Sequence, residues 1–405
     1  MKFVSSTTLA LLLALAGSAH AEDLNRANNT REFMGNLFKG GEQYSNFFRM
    51  ETLFPSELVR KSTSPVAWPS GKTIALPDEY NYGGARRLTA DLLRETDTSA
   101  LLVIKNGKIR YEQYWLTGGK ERHWTSMSVA KSFVSALYGV AVAEGTIHSI
   151  EDPASKYLPA LKGSAYDGVR LKDILQMSSG VRWSEDYADP DSDVARLGRV
   201  MASGSSLLNF VRTLKNDVKP GTFNRYCSAD TLVLGLVLEA ATGKSLAAYT
   251  QEKLWQPLGA TQDAYWLKDN YENTLTFGGF NATARDYARL GELYRLGGKF
   301  NGKQIIPSAW IKDSLTPDAP QLIPGKRSNS DSTMGYGYQW WLPEGQQHDF
   351  SAIGIFNQFI YVSPDKQIVI VKLSASRNYA KADKESSWRE NETIGFFRQI
   401  AESID

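Results

Sequence analysis

Strand signals stand at the two ends of this chain, with helical signals between them, so the sheet must be assembled from distant segments. Ala100-Leu101-Leu102-Val103-Ile104 and Ile109-Arg110-Tyr111-Glu112-Gln113-Tyr114-Trp115 flank Asn106-Gly107, a pair suited to a two-residue hairpin turn. Towards the other end, 336–342, 357–362 and 367–374 read as strands. The middle is helical at 171–177, 207–214, 229–241 and 246–254, with few strand signals. Residues 283–296 read as an amphipathic helix with Thr283 as N-cap and Asp286 in its first turn. A polar loop at 318–333 and a closing helix at 386–404 complete the pattern, while 22–77 is irregular and interrupted by Pro55, Pro65 and Pro69. The expected class is α+β: one antiparallel sheet flanked by helices, plus an all-helical lobe. The sheet lobe is expected from 22–139 and 276–405, the helical lobe from 140–275, with a site in the cleft between them.

Ser128-Val129-Ala130-Lys131 falls at the head of an apolar helix. Apolar residues recur at Val129, Phe133, Val134, Ala136, Leu137, Val140 and Ala141, and the run stops at Glu144-Gly145. Residues three apart share a helix face, so Lys131 can reach the Ser128 oxygen. A serine hydroxyl needs a base to become a nucleophile, and a lysine whose charge burial disfavours can serve. The bland reading is that Ser128 merely caps the helix. A second Ser-x-x-Lys, Ser363-Pro364-Asp365-Lys366, joins two apolar alternating runs and reads as a hairpin turn with its side chains in solvent.

Composition narrows the function classes. Lysine and arginine number 46 against 44 aspartate and glutamate, so neither nucleic acid nor an acidic membrane surface is indicated as a partner. The single cysteine, Cys227, excludes an internal disulfide. Lys2, the apolar run 9–17 and Ala19-His20-Ala21 predict a cleavable signal peptide over 1–21, hence export to a periplasm or beyond without stable membrane insertion afterwards. His123, His148 and His348 lack zinc-ligand spacing, and neither a metal nor an organic cofactor is expected. There is no Gly-x-Ser-x-Gly elbow. Gly297-Gly298-Lys299-Phe300-Asn301-Gly302-Lys303-Gln304 approaches a phosphate loop, but Gln304 replaces the required hydroxyl and the segment follows a helix.

Two further segments suit acyl transfer. Tyr226-Cys227-Ser228 precedes the helix at 229–241, placing a phenol and a hydroxyl two residues apart beside Lys131; the bland reading is a buried tyrosine. Ala352-Ile353-Gly354-Ile355-Phe356-Asn357-Gln358 enters a late strand whose edge can aim a backbone N–H at a substrate carbonyl. Its alternative is an ordinary core strand.

In this order the three elements resemble the serine β-lactamase-like superfamily, and within its class C branch the 6-aminohexanoate-dimer hydrolases and family VIII carboxylesterases. Supporting segments are 126–132, Gln176-Met177-Ser178-Ser179-Gly180, Glu185-Asp186-Tyr187-Ala188-Asp189-Pro190 and Gly279-Phe280-Asn281-Ala282-Thr283-Ala284-Arg285-Asp286. The resemblance implies a β-lactamase/transpeptidase-like fold, Ser128 as nucleophile, and Lys131 and Tyr226 sharing proton transfer. It further implies an oxyanion hole of the Ser128 and Ile355 amides, with Tyr187, Ser228 and Gly354 near the substrate. The chain departs from the pattern where Ala352-Ile353-Gly354 replaces Lys-Thr-Gly and Ser228 replaces the asparagine of Tyr-x-Asn. The first change removes the cation that would hold the carboxylate of a β-lactam or D-Ala-D-Ala peptide, a contact worth ~1.5–3 kcal/mol. The expectation is a serine hydrolase of small-molecule esters or amides with no obligate protein partner. The alternatives are a β-lactamase, a D-Ala-D-Ala peptidase or a non-catalytic penicillin-recognition protein.

Overall fold

The computed structural model describes residues 24–379, 381 and 384–404. The expected signal peptide, 1–21, lies outside the described residues. The main sheet is antiparallel and runs in the spatial order Gly335–Tyr336, Trp341–Leu342, Phe350–Gly354, Gln358–Ser363, Ile368–Ser374, Thr98–Lys105, Lys108–Tyr114. Its two ends come from the two ends of the chain, joined by the pairing of Ile370 with Val103 and Val371 with Leu102. Asn106 and Gly107 have φ of +52° and +71°, the left-handed pair that a tight hairpin needs.

Every residue of the interior strand Thr98–Lys105 is buried, because helices cover both faces. Leu102 and Ile104 join the larger core, against which the helix Ala284–Arg295 packs, while Leu101 and Val103 face Phe396, Phe397 and Ile400 of the helix Glu390–Ser403. On Ala284–Arg295, Thr283 is the N-cap as expected, accepting a hydrogen bond from the Asp286 amide. Ala154–Tyr157, Leu171–Leu175, Leu207–Val211 and Leu246–Thr250 pack around the long buried helix Ser228–Thr242. The α+β class, an antiparallel sheet flanked by helices, is as the sequence predicts. Among the described residues no single helix is long and apolar enough to cross a membrane.

Several local expectations are corrected. The fold has a second sheet, ordered Ser56–Val59, Ala264–Leu267, Phe280–Ala282, Trp124–Thr125, whose short strands pair across long sequence separations that local pattern does not reveal. The segment before Pro77 is not irregular: it holds a helix over 24–36, with Thr30 and Phe33 buried on one face, and the strand Ser56–Val59. The expected strand at 336–342 is two short strands around a turn in which Gln339 takes φ +61°. The closing helix breaks at Arg389, φ +55°, into Glu385–Trp388 and Glu390–Ser403. An additional helix, Asp193–Ser203, is capped by Ser192. The second Ser-x-x-Lys does form the hairpin turn, with Lys366 exposed, although Ser363 itself is buried.

Candidate active site

The second sheet leads the chain into the turn that holds Ser128. Trp124–Thr125 pairs with Phe280–Ala282, and the Ser126 amide donates to Phe280 O at 2.9 Å. Met127 then takes φ +47°, an uncommon conformation for its residue type, and Ser128 sits in the 3-10 turn Met127–Val129 that opens the buried helix Ala130–Ala143. Ser128 is therefore one residue inside the turn and does not cap the helix, whose N-cap is Val129.

Lys131 Nζ lies 2.9 Å from Ser128 Oγ and 3.4 Å from Ser228 Oγ, and donates to Phe277 O at 2.7 Å. Only 1% of Lys131 is exposed, and burial lowers its ammonium to about 8, against a partial opposing effect of Glu185. In the neutral amine, two N–H bonds suit Phe277 O and Ser228 Oγ, which leaves the lone pair for the Ser128 hydroxyl. Tyr226 also converges here. Its ring lies 5.0 Å from Lys131 Nζ and stacks on Trp341 at 5.0 Å and 27°. Burial raises its phenol well above the usual range, with only partial offset from a hydrogen bond to Ser128. Tyr226 thus keeps its phenolic proton at neutral pH, while burial favours the uncharged amine of Lys131.

Glu185 is a site residue that the sequence reading assigned no role. Its carboxylate accepts from the Ser228 amide at 3.0 Å and the Ser228 hydroxyl at 2.6 Å, and also from the Tyr187 hydroxyl and the Trp183 indole N–H. Ser228 is thereby oriented so that its oxygen can accept from Lys131. A carboxylate set in an aromatic-rich stretch is the signal that was present in sequence. Because Glu185 raises the Lys131 value, Glu185→Gln is expected to move the acidic limb of the kcat/KM profile to lower pH. A pH–rate profile with an unmoved or upshifted limb would contradict this coupling.

Gly354 ends the strand Phe350–Gly354 against the turn at Ser128. A Cβ placed there would lie 2.7 Å from Ser126 O and 3.0 Å from Ser128 N, so only glycine permits this approach. The next residue, Ile355, lines the cavity at Ser128 together with Tyr187 and Ser228; Gly354 does not line it. The strand end thus brings Ile355 to the cavity wall beside Ser128. Among the described residues no group of three or more His, Cys, Asp or Glu side chains is placed to hold a metal ion.

A strand-fed serine one helical turn from a desolvated lysine, with a tyrosine beside both, defines a class of serine hydrolase. The chain belongs to the Beta-lactamase family, whose model matches residues 85–393. It is 32% identical over 341 residues to the 6-aminohexanoate-dimer hydrolase of Paenarthrobacter ureafaciens, covering 81% of this chain and 84% of that one. A structure from Bacillus anthracis, assigned as a candidate 6-aminohexanoate-dimer hydrolase, superposes with a TM-score of 0.79 at 25% identity, over 89% of this chain and 93% of the other. EstCE1, a hydrolase with promiscuous acyltransferase activity, shares the fold at TM-score 0.57 and 17% identity, over 78% and 95% of the two chains. The protein is a serine hydrolase acting on ester or amide bonds.

Proposed function

We propose that Ser128 is the nucleophile of a two-step hydrolysis of small esters or linear amides, with Lys131 as base and Tyr226 as acid. The observation that carries this is the 2.9 Å approach of a buried amine, lowered to about 8, to the Ser128 hydroxyl. Lys131 takes the proton as Oγ bonds to the substrate carbonyl carbon. The oxyanion is held by the Ser128 and Ile355 amides. As the tetrahedral species collapses, Tyr226 gives its proton to the departing oxygen or nitrogen and recovers one from the Lys131 ammonium. Water then attacks the acyl-enzyme, losing its proton along the same path reversed, and Ser128 is regenerated.

Linear substrates are favoured over β-lactams because the strand beside the nucleophile is Phe350-Ser351-Ala352-Ile353-Gly354, buried throughout and without a cation. The basic start, apolar run and small-residue site at the N-terminus support export to the periplasm or beyond. A fluorophosphonate adduct located by mass spectrometry is expected on Ser128, and labelling elsewhere would overturn the assignment. A panel of nitrophenyl butyrate, a linear aminohexanoate dimer and a chromogenic cephalosporin tests the substrate class. Rapid cleavage of the cephalosporin would favour the β-lactamase alternative.

A further inference from the structure

Residues 24–54 precede the 85–393 span that the family model matches, yet they build one wall of the cavity at Ser128. Phe33, Met34, Leu37 and Phe38 come from the first helix and the turn after it, and Met50 and Phe54 from the segment that follows. The opposite wall includes Leu197 and Met201, and none of the lining residues is Asp, Glu, Lys or Arg. The segment is fastened to the catalytic frame at several points. The Thr125 amide donates to Phe47 O at 2.9 Å, and within the segment the Thr30 hydroxyl donates to Leu53 O. Phe38 stacks on Phe356 at 5.3 Å and 14°, one residue beyond Ile355, and lies 5.2 Å from the Tyr187 ring. Met34 reaches across towards the opposite helix, its Cε 3.5 Å from where a Cβ on Gly198 would stand.

The leaving group must meet Tyr226, which does not line this cavity; the carbonyl's other substituent therefore faces it. We propose that the segment 24–54 is the specificity wall of the enzyme and that it selects an uncharged, unbranched apolar acyl chain. This rests on Ser128 being the nucleophile. A charged chain end finds no counter-ion in that wall and loses its hydration there. Each methylene that an apolar pocket accepts or rejects changes kcat/KM by roughly 10-fold or more.

The test uses the full chain and p-nitrophenyl esters from acetate to dodecanoate, with a 6-aminohexanoyl ester beside the hexanoyl one. In the unaltered protein, kcat/KM is expected to rise from acetate to hexanoate, and the aminohexanoyl ester to be cleaved at least 10-fold more slowly than the hexanoyl. Met34→Trp is expected to cut the octanoate-to-acetate ratio at least 10-fold, and Met34→Ala to raise the dodecanoate-to-hexanoate ratio. The two act in opposite directions, so loss of fold in the bulkier variant leaves the other to decide. Ratios unchanged in a variant that still labels at Ser128 would overturn the wall, and faster cleavage of the aminohexanoyl ester would overturn the uncharged chain. Absence of a Ser128 adduct in the unaltered protein would instead remove the nucleophile reading beneath both.

Discussion

Replacing Lys131 with methionine is expected to lower kcat/KM by roughly 10²–10⁴-fold, the usual contribution of a positioned general base. Methionine keeps most of the buried apolar stem and removes the amine, so packing around a residue that is 1% exposed is largely retained. The pH profile should change with the rate. With Lys131 at about 8, the neutral amine is the minority form at pH 7, and its share grows tenfold per pH unit as the solution approaches that value from below. In the unaltered enzyme kcat/KM should therefore climb with pH and level off above about 8. In Lys131→Met that limb should vanish. A variant that kept the limb would assign the base to another group.

Gly354→Ala is expected to cost roughly 10²–10³-fold in kcat, the size of one lost oxyanion donor. The added methyl would stand 2.7 Å from Ser126 O and 3.0 Å from Ser128 N, both backbone atoms that cannot swing aside as a side-chain terminus does. The strand end must then retreat from the nucleophile turn, taking Ile355 with it. Substrate affinity should change much less, because Gly354 does not line the cavity. Steady-state kinetics showing an effect confined to KM would contradict the role given to this approach.

The proximity of Ser128 and Lys131 was legible because its geometry is local. Ser128 and Lys131 are separated by one turn of a helix whose apolar period, stop signal and entry can all be read in fewer than twenty residues. The hairpin at Asn106-Gly107 was legible for the same reason, since two residues decide the turn. The two-residue spacing of Tyr226 and Ser228 lets their side chains point the same way, and the fold brings both to Lys131.

Other features depend on partners far along the chain. Ser56–Val59 is a strand because Ala264–Leu267 lies beside it, and Trp124–Thr125 because Phe280–Ala282 does. The helix over 24–36 has a modest pattern of its own and gains its meaning from the cavity it covers. Glu185 stands in sequence as a carboxylate in an aromatic-rich stretch, and becomes a site residue only when Ser228, Tyr187 and Trp183 donate to it.

By itself, the chain's order of residues determined the α+β class and the placing of Lys131 one helical turn from Ser128, because periodicity and turn propensity act over a few residues. The depressed basicity of Lys131, the amide approach at Gly354 and the apolar wall from the N-terminal segment were decided by tertiary structure alone. Each is a property of what surrounds a group, and desolvation, steric approach and cavity shape exist only once distant segments have packed together.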